Sequence, residues 1–430
     1  MITRRLGLAA FLLTLPSLAV AQDGGISDEA SFVFNSLLLL VGGLLVFFMH
    51  IGFAMLEGGL VQKKNLTMQM IKNVGLFVIS MAAYFAVGYN LMYPLGDWLI
   101  DGYLSANWIW TSLEPVAASA EEVDIFYATT GSDFFFQIMF CAAAATIVSG
   151  TIAERMRLGP FLVFVAILAA FIYPIQGAWK WGGGFLDRAG FLDFAGSTIV
   201  HSVGGWAALT AAIVLGPRMG RFNPDGTSNE IPASSLPLAT LGALLLWVGW
   251  FGFNGASQLA LGSVSDAADV SRIFANTNAA AIGGGLVALL LTAFVYKNLS
   301  LPMILNGSLG GLVAITAEPL FPSLITATLI GGFGGAFVVL GTNFLERMKI
   351  DDVVSAIPVH LFAGIFGTFM VPLSNPDGSY VAQMLGVVVF GVVTVTLSLI
   401  TWLAIKAIWG LRVSEEVEYH GLDSLLGRQT

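Results

Sequence analysis

Two stretches of this chain place a histidine where an ionisable group is costly. "DFAGSTIVH" runs over 193–201 and "DVVSAIPVH" over 352–360. Each is an aspartate, seven small or apolar residues and a histidine, with valine directly before the ring and glycine four residues after it, at Gly205 and Gly364. Imidazole takes up and releases a proton near neutral pH, and an ionisable group inside an apolar run normally has a task. Three arrangements are open. The rings can sit apart, each bonded to a backbone carbonyl; they can meet as a polar pair along a narrow path; or they can share a metal. Two imidazoles are too few for a stable zinc site, and no cysteine or acid stands at helical spacing beside them, so neither a metal nor a cofactor is expected. Of the other histidines, His50 reads as a packing residue and His420 lies in the C-terminal tail.

The elements that must position the two rings follow from composition. The chain is 57% hydrophobic and 10% charged, whereas soluble domains carry roughly a quarter charged residues. Apolar runs recur from Phe32 to Leu411, which predicts an all-α polytopic membrane protein. The net charge of −9 comes with no basic face, so nucleic acid is not an expected partner. The single cysteine, Cys141, excludes an intrachain disulfide. Residues 1–21 read as a cleaved signal peptide: Arg4 and Arg5, an apolar core too short to span, and Ala19-Val20-Ala21 before Gln22. A periplasmic segment over 22–31 then leads into the membrane domain, 32–411, and a cytoplasmic tail, 412–430.

Runs of about 20 apolar residues give eleven spans, near 32–56, 70–92, 132–153, 158–177, 196–216, 236–258, 273–296, 299–317, 323–342, 356–372 and 382–409. Starting outside and crossing eleven times leaves the C-terminus inside. Positive charges test that count, because they favour cytoplasmic loops. Thirteen Lys and Arg after the leader fall at expected inner ends, and only Lys180, Arg188 and Arg272 fall outside. The first Asp-to-His unit then enters from outside and the second from inside. This is the pattern of an inverted repeat of five spans and five, with the eleventh left over, and such repeats put a site near the midplane. Eight residues of helix is about 12 Å, so the two rings reach toward each other from opposite faces.

"DFAGSTIVHSVGGWAALTAAIVLGPR" (193–218) closely resembles the signature segment of the Amt/Mep ammonium transporter family. "GFAMLEGGLVQKKN" (52–65), "GTIAERMR" (150–157), "GWFGFN" (249–254) and "DDVVSAIPVH" (351–360) resemble it as well. The resemblance covers about 30–423 and implies a homotrimer of eleven-span protomers with a pore through each. It implies an outer recruitment site formed by Phe140, Trp181 and Ser257. It further implies a gate of Phe140 and Phe253 with Phe136 one turn out, pore-lining twin histidines His201 and His360, and a supporting carboxylate, Asp193. Independently of the family, Phe136 and Phe140 share a helix face and Asp193 can cap the fifth span.

Ammonium, with methylammonium as an analogue, is the substrate that this set suits. Each aromatic face attracts a cation by about 0.5–2 kcal/mol, and a serine hydroxyl accepts a directional bond that potassium does not need. An apolar pore beyond the gate excludes the ion and admits ammonia, and two neutral imidazoles can share one N–H···N bond. Net proton transfer with the ammonia is expected by resemblance to bacterial members. The tail "LRVSEEVEYHGLD" resembles the family's regulatory tail, on whose face a PII-type signal protein docks; Ser355 stands where some members carry an aspartate. A bacterial inner membrane is the expected location. Two other readings remain: an ammonium receptor with little flux, and a neutral gas channel of the Rhesus type. Nothing in the chain supplies the nucleophile, metal set or cofactor motif of an enzyme.

Overall fold

In the computed structural model the protein is described over residues 26–107, 113–114 and 127–426. The expected signal peptide lies outside these residues. Ten helices are long and apolar enough to cross a bilayer. They are α1 (Asp28–Leu60), α2 (Lys63–Met92), α3 (Thr130–Thr151), α4 (Leu158–Arg188), α5 (Ser197–Leu215), α6 (Leu236–Gln258), α7 (Val264–Val295), α9 (Leu324–Arg347), α10 (Ile357–Ser374) and α11 (Tyr380–Trp409). A shorter apolar helix, α8 (Leu301–Ile315), falls where the eighth span is expected. Its 15 residues reach about 22 Å, less than a bilayer core. It packs against α6, α7, α9 and α10, so protein rather than lipid surrounds much of it, and its ends need not reach the headgroups.

Helix starts are set by serine. Ser27, Ser235, Ser263, Ser300, Ser323 and Ser379 each accept a bond from the backbone N–H three residues on, satisfying donors that the first turn leaves free. Several helices run longer than the sequence windows, α1 by four residues at each end, because polar first and last turns extend helices beyond the hydrocarbon. A small ribbon of β1 (Trp98–Ile100) and β2 (Leu104–Ser105) lies in the connection between α2 and α3.

The repeat is legible in two crossings. Along α1 and α6, Gly42 faces Gly252, Gly52 faces Gly242 and Gly59 faces Ala239. As one number rises the other falls, so the first spans of the two halves run antiparallel. The fifth spans do the same. Thr198 bonds Thr368 at 2.7 Å and, further along α5, His201 bonds His360 at 3.1 Å. Each of these fifth spans opens with a π-helical turn, Ser197–Ser202 in α5 and Ile357–Phe362 in α10. Such wide turns recur at functional sites, and both histidines sit inside them. The expectation that helix runs from each aspartate is corrected here: α5 begins at Ser197 and α10 at Ile357, and the aspartates cap from a loop.

The C-terminal segment is docked rather than solvated. A short helix, α12 (Glu415–His420), buries Glu418, which accepts from Arg412 and from the Met219 amide. Lys64 donates to the carbonyls of Glu418 and Tyr419, and Asp423 caps the start of α2 through Thr67 and Met68.

Candidate functional site

The start of α5 is built on Asp193. One carboxylate oxygen accepts from the amides of Gly196 and Ser197, the other from Thr198 and Ile199, at 2.8–3.1 Å. Gly196 makes the turn possible with φ at 105°, where a side chain would also strike Val200. Burial pushes the carboxyl up to about 6 against the pull of those four amides. Trp181 donates its indole N–H to the Asp193 carbonyl at 3.1 Å, which fixes the half-buried ring over the end of the helix. Removing the carboxylate leaves four donors without an acceptor. Asp193→Ala is therefore expected to cost about 2 kcal/mol or more, read as a lower unfolding temperature in detergent, with Asp193→Asn losing less.

Aromatic rings continue from Trp181 toward the centre of the protein. Trp181 meets Phe140 edge-on with centroids 6.2 Å apart, and Phe140 stacks on Phe253 at 4.0 Å. Phe136 meets Phe140 at 4.6 Å from one turn nearer the Trp181 face. These three phenylalanines are fully buried. Ser257 is half-buried one turn beyond Phe253, and its hydroxyl donates to the Phe253 carbonyl at 2.6 Å. That bond uses the hydroxyl's proton and leaves its oxygen as an acceptor.

Behind Phe253 lie the histidines. His201 packs beside both Phe253, at 5.2 Å, and Trp250, at 5.0 Å, whose own centroids are 5.8 Å apart, and it faces His360 at 5.1 Å. Trp250 is held by an indole bond to Thr316 at 2.8 Å. The contact between the rings joins Nδ1 to Nδ1 at 3.1 Å. Only one of two neutral rings can carry a proton there, and each neutral imidazole has one N–H. The two Nε2 atoms must therefore differ: one is a donor and the other a bare acceptor. Nε2 of His201 is buried without a partner among the described residues, a group that normally finds one.

On the far side of His360 is a cavity of about 10 Å³ lined by Phe53, Glu57, Thr146, Asn306, Val354 and other apolar groups, about the least that holds one water-sized molecule. The sequence reading singled out neither Glu57 nor Trp250, although both stand inside quoted motifs. His50 bonds the Met139 carbonyl at 3.2 Å and packs on Phe77, as a packing histidine would.

The fold and this file of buried groups define a polytopic helical membrane protein with an imidazole pair at its centre. A model of the Ammonium Transporter Family matches residues 37–427. The ammonium transporter Amt2 of Archaeoglobus fulgidus is 38% identical over 417 residues, covering 89% of this chain and 85% of the relative. Amt2 of Haloferax mediterranei is 37% identical, covering 93% and 90%. Among solved structures, one named Sensor Amt Protein superposes with a TM-score of 0.85 at 35% identity, covering 93% of this chain and all of that one. Candida albicans Mep2 superposes at 0.78 with 25% identity, covering 90% and 88%. The chain belongs to the ammonium transporter family.

Proposed function

We propose that this protein moves ammonium inward across a bacterial inner membrane by passing ammonia along His201 and His360. The observation that carries this reading is the Nδ1–Nδ1 bond of the two buried rings directly behind stacked Phe140 and Phe253. In this reading the Trp181 face is periplasmic and the tail face cytoplasmic. Ammonium is recruited by Phe140, Trp181 and the acceptor oxygen of Ser257, with the Asp193 carboxylate favouring cations. It gives up its proton near the phenylalanine gate, where an unpaired ion meets apolar walls. Ammonia then bonds along the two Nε2 atoms, and the proton crosses with it, so net charge moves. The resemblance adds a homotrimer and a PII-type partner at the tail face; the tail's bonds to α2 and α5 give such a partner a route to the pore.

The test is the transient current of proteoliposomes given ammonium or potassium at equal ionic strength. An ammonium-selective current is expected for the wild type and its loss, or loss of selectivity, for His201→Ala. Rapid internal alkalinisation without current would replace this reading by a gas channel. A receptor is the second reading, favoured by the superposition on the Sensor Amt Protein. It would show tight ammonium binding and neither signal.

A further inference from the structure

The cavity on the tail side of His360 holds an acid that the pathway above leaves unused. Glu57 is 2% exposed, and a buried carboxylate is ordinarily paired with a cation. Glu57 is not: it forms no ion pair among the described residues. Gln69, Asn73 and Ser149 donate to it, and all three bonds go to Oε2. Lys72 acts on it by charge but makes no ion pair with it, its Nζ donating to the Ser149 carbonyl at 2.7 Å and lying 5.4 Å from the Phe161 ring. Beside Oε1 stands Gly150, which puts no side chain there. Three neutral donors thus fix the carboxyl through one oxygen, and no group among the described residues donates to the other. The cavity that Glu57 lines is shared with His360, with the Thr146 hydroxyl and Asn306 amide as its other polar walls.

We propose that Glu57 is the proton relay and cation site at the tail end of the pore. The inference rests on ammonia travelling along the histidines. The Glu57 carboxyl gives its proton to arriving ammonia; its O–H bond breaks, an N–H bond forms, and carboxylate and ammonium remain as a pair. The carboxylate then regains a proton released at His360, and the ammonium leaves toward the tail face. One ammonium crosses per cycle, with no other reactant. The ionisable groups facing Glu57 are His360 from α10 and Lys72 from α2.

Currents of Glu57→Gln and Glu57→Asp proteoliposomes test this. A glutamine carbonyl can keep all three donors, so the isosteric variant is expected to retain the wild-type melting temperature. Its ammonium current should fall by about tenfold or more, while Glu57→Asp, which still offers a carboxyl, keeps a clearly larger current with an altered pH profile. Undiminished current in Glu57→Gln, or equal currents in the Gln and Asp variants, overturns the relay and leaves histidine-lined transport standing. No current in the wild type overturns both.

Discussion

Arg218→Ala is expected to destabilise the protein by roughly 3 kcal/mol or more. Arg218 grips Asp351 with two guanidinium nitrogens at 2.8 and 2.9 Å and reaches Glu154 at 3.0 Å. Both acids are nearly fully buried. Removing the arginine leaves the Asp351 carboxylate to Arg155 and Arg221, whose nearest approaches to it are 4.0 and 3.6 Å, and leaves Glu154 to the neutral donors of Gln62. Lysine should rescue little, because a point charge cannot reproduce the fork. Burial alone would raise the Asp351 carboxyl, but bonding and charge from Arg218, with Arg155, bring it down to about 2. A carboxyl lowered on folding contributes stability that is present above its unfolded value of about 4 and is lost as pH falls toward 2. Acid unfolding of the wild type should therefore include this step, and the Arg218→Ala variant should lack most of it. Thermal melts between pH 2 and 5 read both effects.

Gly364→Val should abolish the ammonium-selective current without touching a histidine. A Cβ at Gly364 would lie 2.5 Å from the Ser197 carbonyl oxygen and 2.7 Å from the Ser202 hydroxyl. The first is backbone in the turn that carries His201, so α5 and α10 must move apart. Overpacking of this kind costs about 1–3 kcal/mol, which a folded protein can survive. The imidazole bond cannot, because at 3.1 Å a shift of half an ångström takes it beyond hydrogen-bonding distance. Gly205→Ala, which meets Leu361 at 2.7 Å, should act in the same direction from the other helix. A folded Gly364→Val protein with wild-type current would show that ammonium transfer does not need the paired rings.

Much of the fold was legible because lipid imposes simple rules on sequence. Apolar length gave the spans, and the two Asp-to-His frames gave the inverted pairing that the antiparallel crossings display. Trp181, Phe136, Phe140, Phe253, His201 and His360 form one connected file, with Asp193 beneath the indole and Ser257 at its edge. Other features left no local trace. The π-turns depend on how α5 and α10 meet, and no residue pattern announces them. The two aspartates look equivalent in sequence, yet Asp193 accepts four amides whereas Asp352 accepts the Ile357 amide at 2.7 Å. Proline at 358 removes the next donor, so the repeat is broken at that cap. Asp351 is hidden beside Asp352 in the same motif, and its tie to Arg218 spans 133 residues. Glu57 reads as part of a helix-end motif until the cavity next to His360 is seen.

In the proposed pathway the Nδ1–Nδ1 bond would also act as a memory. A proton that arrives at one Nε2 and leaves from the other passes through the shared bond, and both rings end in the opposite tautomer. The acceptor end is then filled and the donor end is bare, so a second proton cannot follow in the same direction. Turning a ring over would break the shared bond and disturb the Trp250 and Phe253 rings packed beside His201. Resetting requires a proton to be shuttled back outside the bond, one ring to the other, before the next crossing. In the proposed pathway the pair would count protons one at a time, and the rate of that reset would set a ceiling on how fast charge crosses.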